Sequence, residues 1–161
     1  MKTIQKKSTK SRPRNYSINT DIEAQSEWNG RLTPKTQINN GIMRSSELAK
    51  TLVLFQTQGQ KKYSGGIPTS ALTGYKILAQ LKAIPNITLL NACLLDFYLA
   101  HPKSIPKKLI GKIICFWGTT YFDADGEEYI RCLRWSGKEP FSDALWLRRN
   151  VIIAPAAVLM K

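Results

Sequence analysis

Apolar positions recur at helical spacing in the first two thirds of the chain and give way to β-branched and aromatic runs in the last third. Leu48, Leu52 and Phe55 stand at i, i+4 and i+7 and predict a short helix over residues 45–55. Ser45 or Ser46 is its N-cap, and Glu47 lies in a first turn where the helix dipole favours an anion. Val53 and Leu54 in the same stretch also suit a strand. Leu72, Tyr75, Leu78, Ala79 and Lys82 predict a second helix, capped by Thr69 or Ser70 and running to about Ala83. Gly74 is its weak point, and Pro85 ends it. Asn86 then caps a third helix over residues 87–100. Its stripe of Ile87, Leu90, Leu94 and Phe97, widened by Leu89, Cys93 and Leu95, reads as a central core helix. Residues 15–41 read as loop with a short helix near 21–28 capped by Asp21, and the glycine-rich residues 56–66 as a hinge loop.

Residues 112–122 and 128–135 are predicted strands. A tight two-residue turn on Asp125-Gly126 would set Asp123 opposite Glu128, so a longer turn with Gly126 left-handed is preferred. A third strand follows over 144–149, residues 151–153 continue it or form a fourth, and residues 155–161 read as a short final helix. The expected fold is α+β: about three helices followed by a small antiparallel β-meander of three to four strands. Residues 1–20 form a basic arm and residues 21–161 one domain, helical over about 45–101 and β over about 110–154.

Charge is distributed unevenly along the chain. The 161 residues carry a formal net charge of +13, and the first twenty hold six Lys or Arg and no acid. So little apolar content cannot offset the entropy of ordering, so the arm is expected to be disordered until it meets an anion. Residues 67–108 add five bases against the single acid Asp96, whereas residues 109–161 carry seven bases against six acids. A polyanion surface is therefore expected on Lys6, Lys7, Lys10, Arg12 and Arg14 of the arm and on Lys103, Lys107 and Lys108 between Pro102 and Pro106 and beyond. The hairpin interleaves Trp117, Tyr121, Tyr129 and Trp135 with Arg131 and Arg134, and Trp146 with Arg148 and Arg149. Such a face stacks bases and holds phosphates, or else buries its aromatics and turns its arginines to solvent.

Other chemistry is poorly represented. Cys93, Cys115 and Cys132 are odd in number and widely spaced, which suits buried free thiols in a reducing, cytoplasmic compartment. The predicted register does not set Cys115 directly opposite Cys132. His101 is the one histidine and lies between a helix end and a proline, a capping position, so neither a zinc site nor a Cys–His nucleophile is expected. Laid on a calcium loop, Asp123 and Asp125 leave Tyr121 first and Cys132 last, and neither is a carboxylate. Glu127 and Glu128 are adjacent and point to opposite faces of a strand, so no carboxylate pair forms. No metal, cofactor or catalytic residue is expected. The most apolar stretch, residues 84–100, is interrupted by Pro85, Asn86, Asn91 and Asp96 and does not suit a membrane span. The amino-terminal stretch lacks the apolar core of a secretory signal and makes a poor amphipathic presequence.

Residues 99–147 carry Leu99-Ala100-His101-Pro102, Ile105-Pro106, Gly111-Lys112, Phe116-Trp117-Gly118-Thr119 and Tyr121, then Tyr129-Ile130-Arg131, Leu133, Trp135, Gly137 and Trp146-Leu147. This block resembles a pattern of small uncharacterised bacterial proteins, F-W-G-T-x-Y followed by Y-[VI]-R-x-L-x-W-x-G. It departs from that pattern at Phe122, where the pattern has a basic residue, and is poorer in Trp after Gly137. The resemblance implies a folded β unit in a bacterial or mobile-element protein and supplies no catalytic residue. The expected function is a non-enzymatic protein associated with DNA or RNA, as in a ribonucleoprotein. The alternative is a protein-interaction or assembly module, such as an accessory, inhibitor or structural protein of a phage or mobile element, whose arm seeks an acidic protein.

Overall fold

A computed structural model describes residues 14–55, 72–151 and 155–160. In chain order its elements are β1 (Ser17–Asn19), β2 (Thr33–Gln37), β3 (Ile42–Arg44), α1 (Ser45–Thr51), β4 (Leu52–Phe55), β5 (Leu72–Thr73), α2 (Gly74–Ala83), β6 (Ile87–Leu89) and α3 (Ala92–Ala100). Two 3-10 turns, Pro102–Ser104 and Lys107–Leu109, lead to β7 (Ile114–Cys115), β8 (Thr119–Phe122), β9 (Glu128–Ser136), β10 (Glu139–Trp146), β11 (Asn150–Val151) and β12 (Ala156–Met160).

The fold is not helices followed by a small meander. Strands outweigh the three helices, and eight of them form one mixed sheet along β2-β8-β9-β7-β12-β4, with β10 added on β9 and β6 on β12. The sheet divides two apolar clusters, because alternate residues of a strand face opposite sides. Leu133 and Tyr129 of β9 and Ala157 of β12 pack with Leu94, Leu95 and Tyr98 of α3. Ile130, Cys132, Ala156 and Val158 pack with Ile77, Leu78 and Leu81 of α2 on the other side. Helices thus cover both faces, which makes the central strands apolar throughout rather than alternating.

That two-sided burial explains the largest correction. The expected final helix over residues 155–161 is instead β12, a continuously apolar strand that pairs with β4, β6 and β7. The expected third helix also starts late: Ile87–Leu89 is strand β6, and α3 is capped by Asn91, whose Oδ1 accepts from the Cys93 amide at 3.1 Å. The first helix stops at Thr51, where Leu52 turns extended to enter β4. Residues 21–28 are not helical: Glu27 and Leu32 exchange backbone hydrogen bonds in a tight hairpin. Residues 14–20, read as part of the arm, belong to the fold, with Ile18 and Thr20 buried.

The single strand expected over residues 112–122 is split into β7 and β8 at Gly118. There the backbone crosses residues 90–91, and an added Cβ would lie 2.8 Å from the Asn91 nitrogen and from the Leu90 carbonyl. Gly74 is likewise a requirement rather than a weakness, since a Cβ there would meet Leu147 Cα at 2.7 Å. The second helix is capped by Thr73, one turn beyond the expected Thr69 or Ser70, which lie outside the described residues together with the 56–66 loop. The hairpin turn is the longer one: Phe122 pairs Glu128, Gly126 has φ +78°, and Asp123 Oδ1 accepts from the amides of Asp125 and Glu127. The register does set Cys115 directly opposite Cys132, against expectation, because β7 is a separate strand with its own pairing. Among the described residues no helix is long and apolar enough to cross a membrane.

Candidate nucleic-acid interface

The expected cationic residues separate by whether a carboxylate already holds them. Arg131 lies in β9 between Ile130 and Cys132, is 3% exposed, and faces α3. Its Nε donates to Glu27 Oε2 at 2.7 Å, and its Nη1 donates to Asp96 Oδ1 at 2.7 Å and to the Gln25 carbonyl at 3.1 Å. Ser142 also donates to Glu27 Oε2, and Tyr121 Oη donates to the Gln25 carbonyl at 3.1 Å. Arg131 is therefore withdrawn from any phosphate. Arg134, on the opposite face of β9, pairs with Asp143 at 2.9 Å. Arg148 pairs with Glu127 at 2.8 Å and Lys35 with Glu128 at 2.6 Å.

The connector after α3 is different. Ile105 and Leu109 are buried and pin its two turns, while Lys103, Lys107 and Lys108 are exposed and have no ion pair among the described residues. Residues 97–122 contain four lysines and no acid. The connector ends at Lys112, whose carbonyl accepts from Trp135 Nε1 at 3.0 Å. At its beginning, His101 closes α3 with its amide on the Phe97 carbonyl at 2.9 Å.

The chain leaving the arm is fixed at that same beginning. Ser45 Oγ accepts from the Tyr16 amide at 2.9 Å, and the Ser45 amide donates to the Tyr16 carbonyl at 3.0 Å. The Tyr16 ring lies 4.5 Å from His101 and 5.4 Å from Phe97 between centroids. Arg14 is exposed and, like the lysines, has no ion pair among the described residues. Lys6, Lys7, Lys10 and Arg12 lie outside the described residues; Tyr16, which follows them in the chain, is docked on His101, two positions before Lys103. Sequence spacing held no sign of this, since Tyr16 and His101 are 85 positions apart.

The hairpin matches neither expectation fully: its aromatics are split between buried and partly exposed positions, and Arg131 is buried with them. Trp117 and Tyr121 are buried, and burial pushes the Tyr121 hydroxyl up to about 12. Only Trp135 combines partial exposure with the basic connector. The ion cluster around Arg131 has the residue types of an active site but the wrong tuning. Burial alone would raise the Glu27 carboxyl. The Ser142 hydroxyl, the Trp28 amide and Arg131 outweigh it and hold the group below its ordinary value. A base that serves near neutrality is tuned upward instead. The Cys93 thiol is pushed up to about 11 by burial and then by Asp96, and Cys132 is raised by burial against Cys115, so neither is an activated nucleophile. A cavity of about 350 Å³ beside α2 is lined by Phe55, Ile77, Gln80, Leu81, Ala83, Ile84 and Pro85, with no titratable side chain. No group of three or more His, Cys, Asp or Glu is placed to hold a metal ion among the described residues.

Asp96 is the functional-looking residue most readable in advance. It is the one acid in residues 67–108 and sits in the most apolar helix, so it had to meet a buried cation. The F-W-G-T-x-Y block serves the fold throughout. Phe116 and Trp117 enter opposite clusters, Gly118 permits the crossing, Thr119 Oγ1 accepts from the Ala92 amide at 3.0 Å, and Tyr121 closes on Gln25. No protein-family model matches the chain, and it finds no match among curated proteins or solved structures.

Proposed function

We propose that the chain is a non-enzymatic nucleic-acid-associated protein that holds a phosphate backbone between its arm and the 102–112 connector. The observation that carries this reading is the docking of Tyr16 on His101, which brings the root of the arm to the start of the connector. Arg14, Lys103, Lys107 and Lys108 have no ion pair among the described residues, while Arg131 and Arg134 are excluded by their partners. Binding of this kind is mainly electrostatic and weakly sequence-specific. The buried ion cluster of Arg131, Glu27 and Asp96 supports a scaffold role for the fold beneath that surface.

A second reading, a protein-interaction module, is favoured by one feature. Trp28 is 42% exposed although its backbone is left-handed, with φ +50°, followed by Asn29 at +55° and Gly30 at +84°. A bulky residue held in that region costs about 1–2 kcal/mol and presents an aromatic side chain to the outside. Nuclease treatment of the freshly purified protein separates the two. The proposal expects co-purifying nucleic acid that nuclease removes with no change in oligomeric state. An assembly that contains no nucleic acid and withstands nuclease would overturn it in favour of the second.

A further inference from the structure

We infer that the surface takes single-stranded nucleic acid in preference to duplex, with bases stacked on the aromatic rings at the two ends of the basic connector. This rests on the nucleic-acid reading above and adds the substrate class. Phosphate contacts alone do not distinguish single strands from duplexes, but ring faces left partly open beside the cations do. One ring is Trp135, partly exposed and held at Lys112 by the indole N–H. At the other end the Tyr16 and His101 rings lie 4.5 Å apart, both partly exposed, next to Lys103. Between them Lys107 and Lys108 are exposed and unopposed by any acid of residues 97–122.

The shape argues the same way. A duplex keeps its bases stacked on each other, and its major groove is read by a helix or a two-stranded ribbon. The connector is two 3-10 turns of three residues each, pinned by Ile105 and Leu109, and offers neither. An unpaired strand has free base faces, and each that stacks on an aromatic ring strengthens binding without sequence choice. The lysines then track the backbone while the rings at either end hold bases.

The test measures binding of the full chain to oligothymidylate, oligouridylate and a duplex of equal length, each at the same low salt. Single strands are expected to bind more tightly than duplex, and comparing the two oligonucleotides tells whether DNA or RNA is preferred. Trp135→Leu is expected to weaken single-strand binding about ten-fold while leaving duplex binding and the salt slope unchanged. Trp135→Phe, which keeps an aromatic face, is expected to restore most of the affinity; a purely structural role for the indole would show equal losses on single strand and duplex. Duplex binding as tight as single-strand binding, or an unchanged affinity in Trp135→Leu, overturns this inference and leaves the nucleic-acid reading standing. Absence of binding to all three probes overturns that reading itself.

Discussion

Arg131 and Glu27 are 104 positions apart and meet at 2.7 Å, the guanidinium of a central strand closing on the carboxylate of a tight hairpin. Asp96 completes the arrangement from α3 at 2.7 Å. The pair ties the 20–32 segment across one face of the sheet, so its role is structural. Removing one partner of a buried ion pair leaves the other uncompensated and costs about 3–5 kcal/mol. Arg131→Met is therefore expected to lower stability by about that much in chemical denaturation. Arg134→Gln, which breaks a partly exposed pair, should cost less than about 1 kcal/mol. Equal effects from the two would contradict the assignment.

Acid should release the same tie. The folded-state Glu27 carboxyl lies below its ordinary value of 4.5, so its contribution is complete above that value and is lost as pH falls through the folded-state value. Glu27→Gln is expected to melt below the parent protein at pH 7, and the gap should narrow as the pH falls below the ordinary value of 4.5 and through the lower folded-state value. A gap that stays constant across the range would show that the charge of Glu27 contributes nothing.

Gly118 and Gly126 look alike in sequence and should respond differently to alanine. A methyl group at Gly118 meets backbone atoms at 2.8 Å, which cannot move aside as a flexible side chain would. Its expected cost is at least about 2–3 kcal/mol. At Gly126 no atom lies within 4 Å of the added Cβ, and only the left-handed φ of +78° opposes it, at about 1–2 kcal/mol. Thermal melts of both variants check the difference.

The three cysteines are buried and free. In the folded protein they should resist a thiol reagent at mildly alkaline pH and all react once denaturant is added, because burial holds the Cys93 and Cys132 thiols in their neutral form. Rapid labelling of the native state would contradict this.

What was legible followed local chemistry. The Pro85 stop, the Gly126 turn, the hairpin strands and the apolar character of α3 all rest on residues close in sequence. What was not legible depended on distant partners. β12 and β6 are short apolar runs whose period does not distinguish helix from strand until the other face of the sheet is known. Arg131 was read as a phosphate ligand because Glu27 lies far away, although its place between Ile130 and Cys132 in a continuous apolar run carried the signal of burial. Conversely, Lys103, Lys107 and Lys108 are legible in sequence, since they flank Pro106 in a stretch, residues 97–122, that holds no acid to pair with them.

Contact with phosphate is tested most directly by the salt dependence of binding, compared between the full chain, a version lacking residues 1–14 and a variant with Lys103, Lys107 and Lys108 all changed to Gln. Each cation on a phosphate releases a counterion, so deleting the six arm charges should reduce the slope of log K against log salt by roughly four on a single strand and roughly five on a duplex. The connector variant should reduce it by roughly two on a single strand. Slopes that both changes leave untouched would show that neither arm nor connector touches phosphate and would contradict the proposed function.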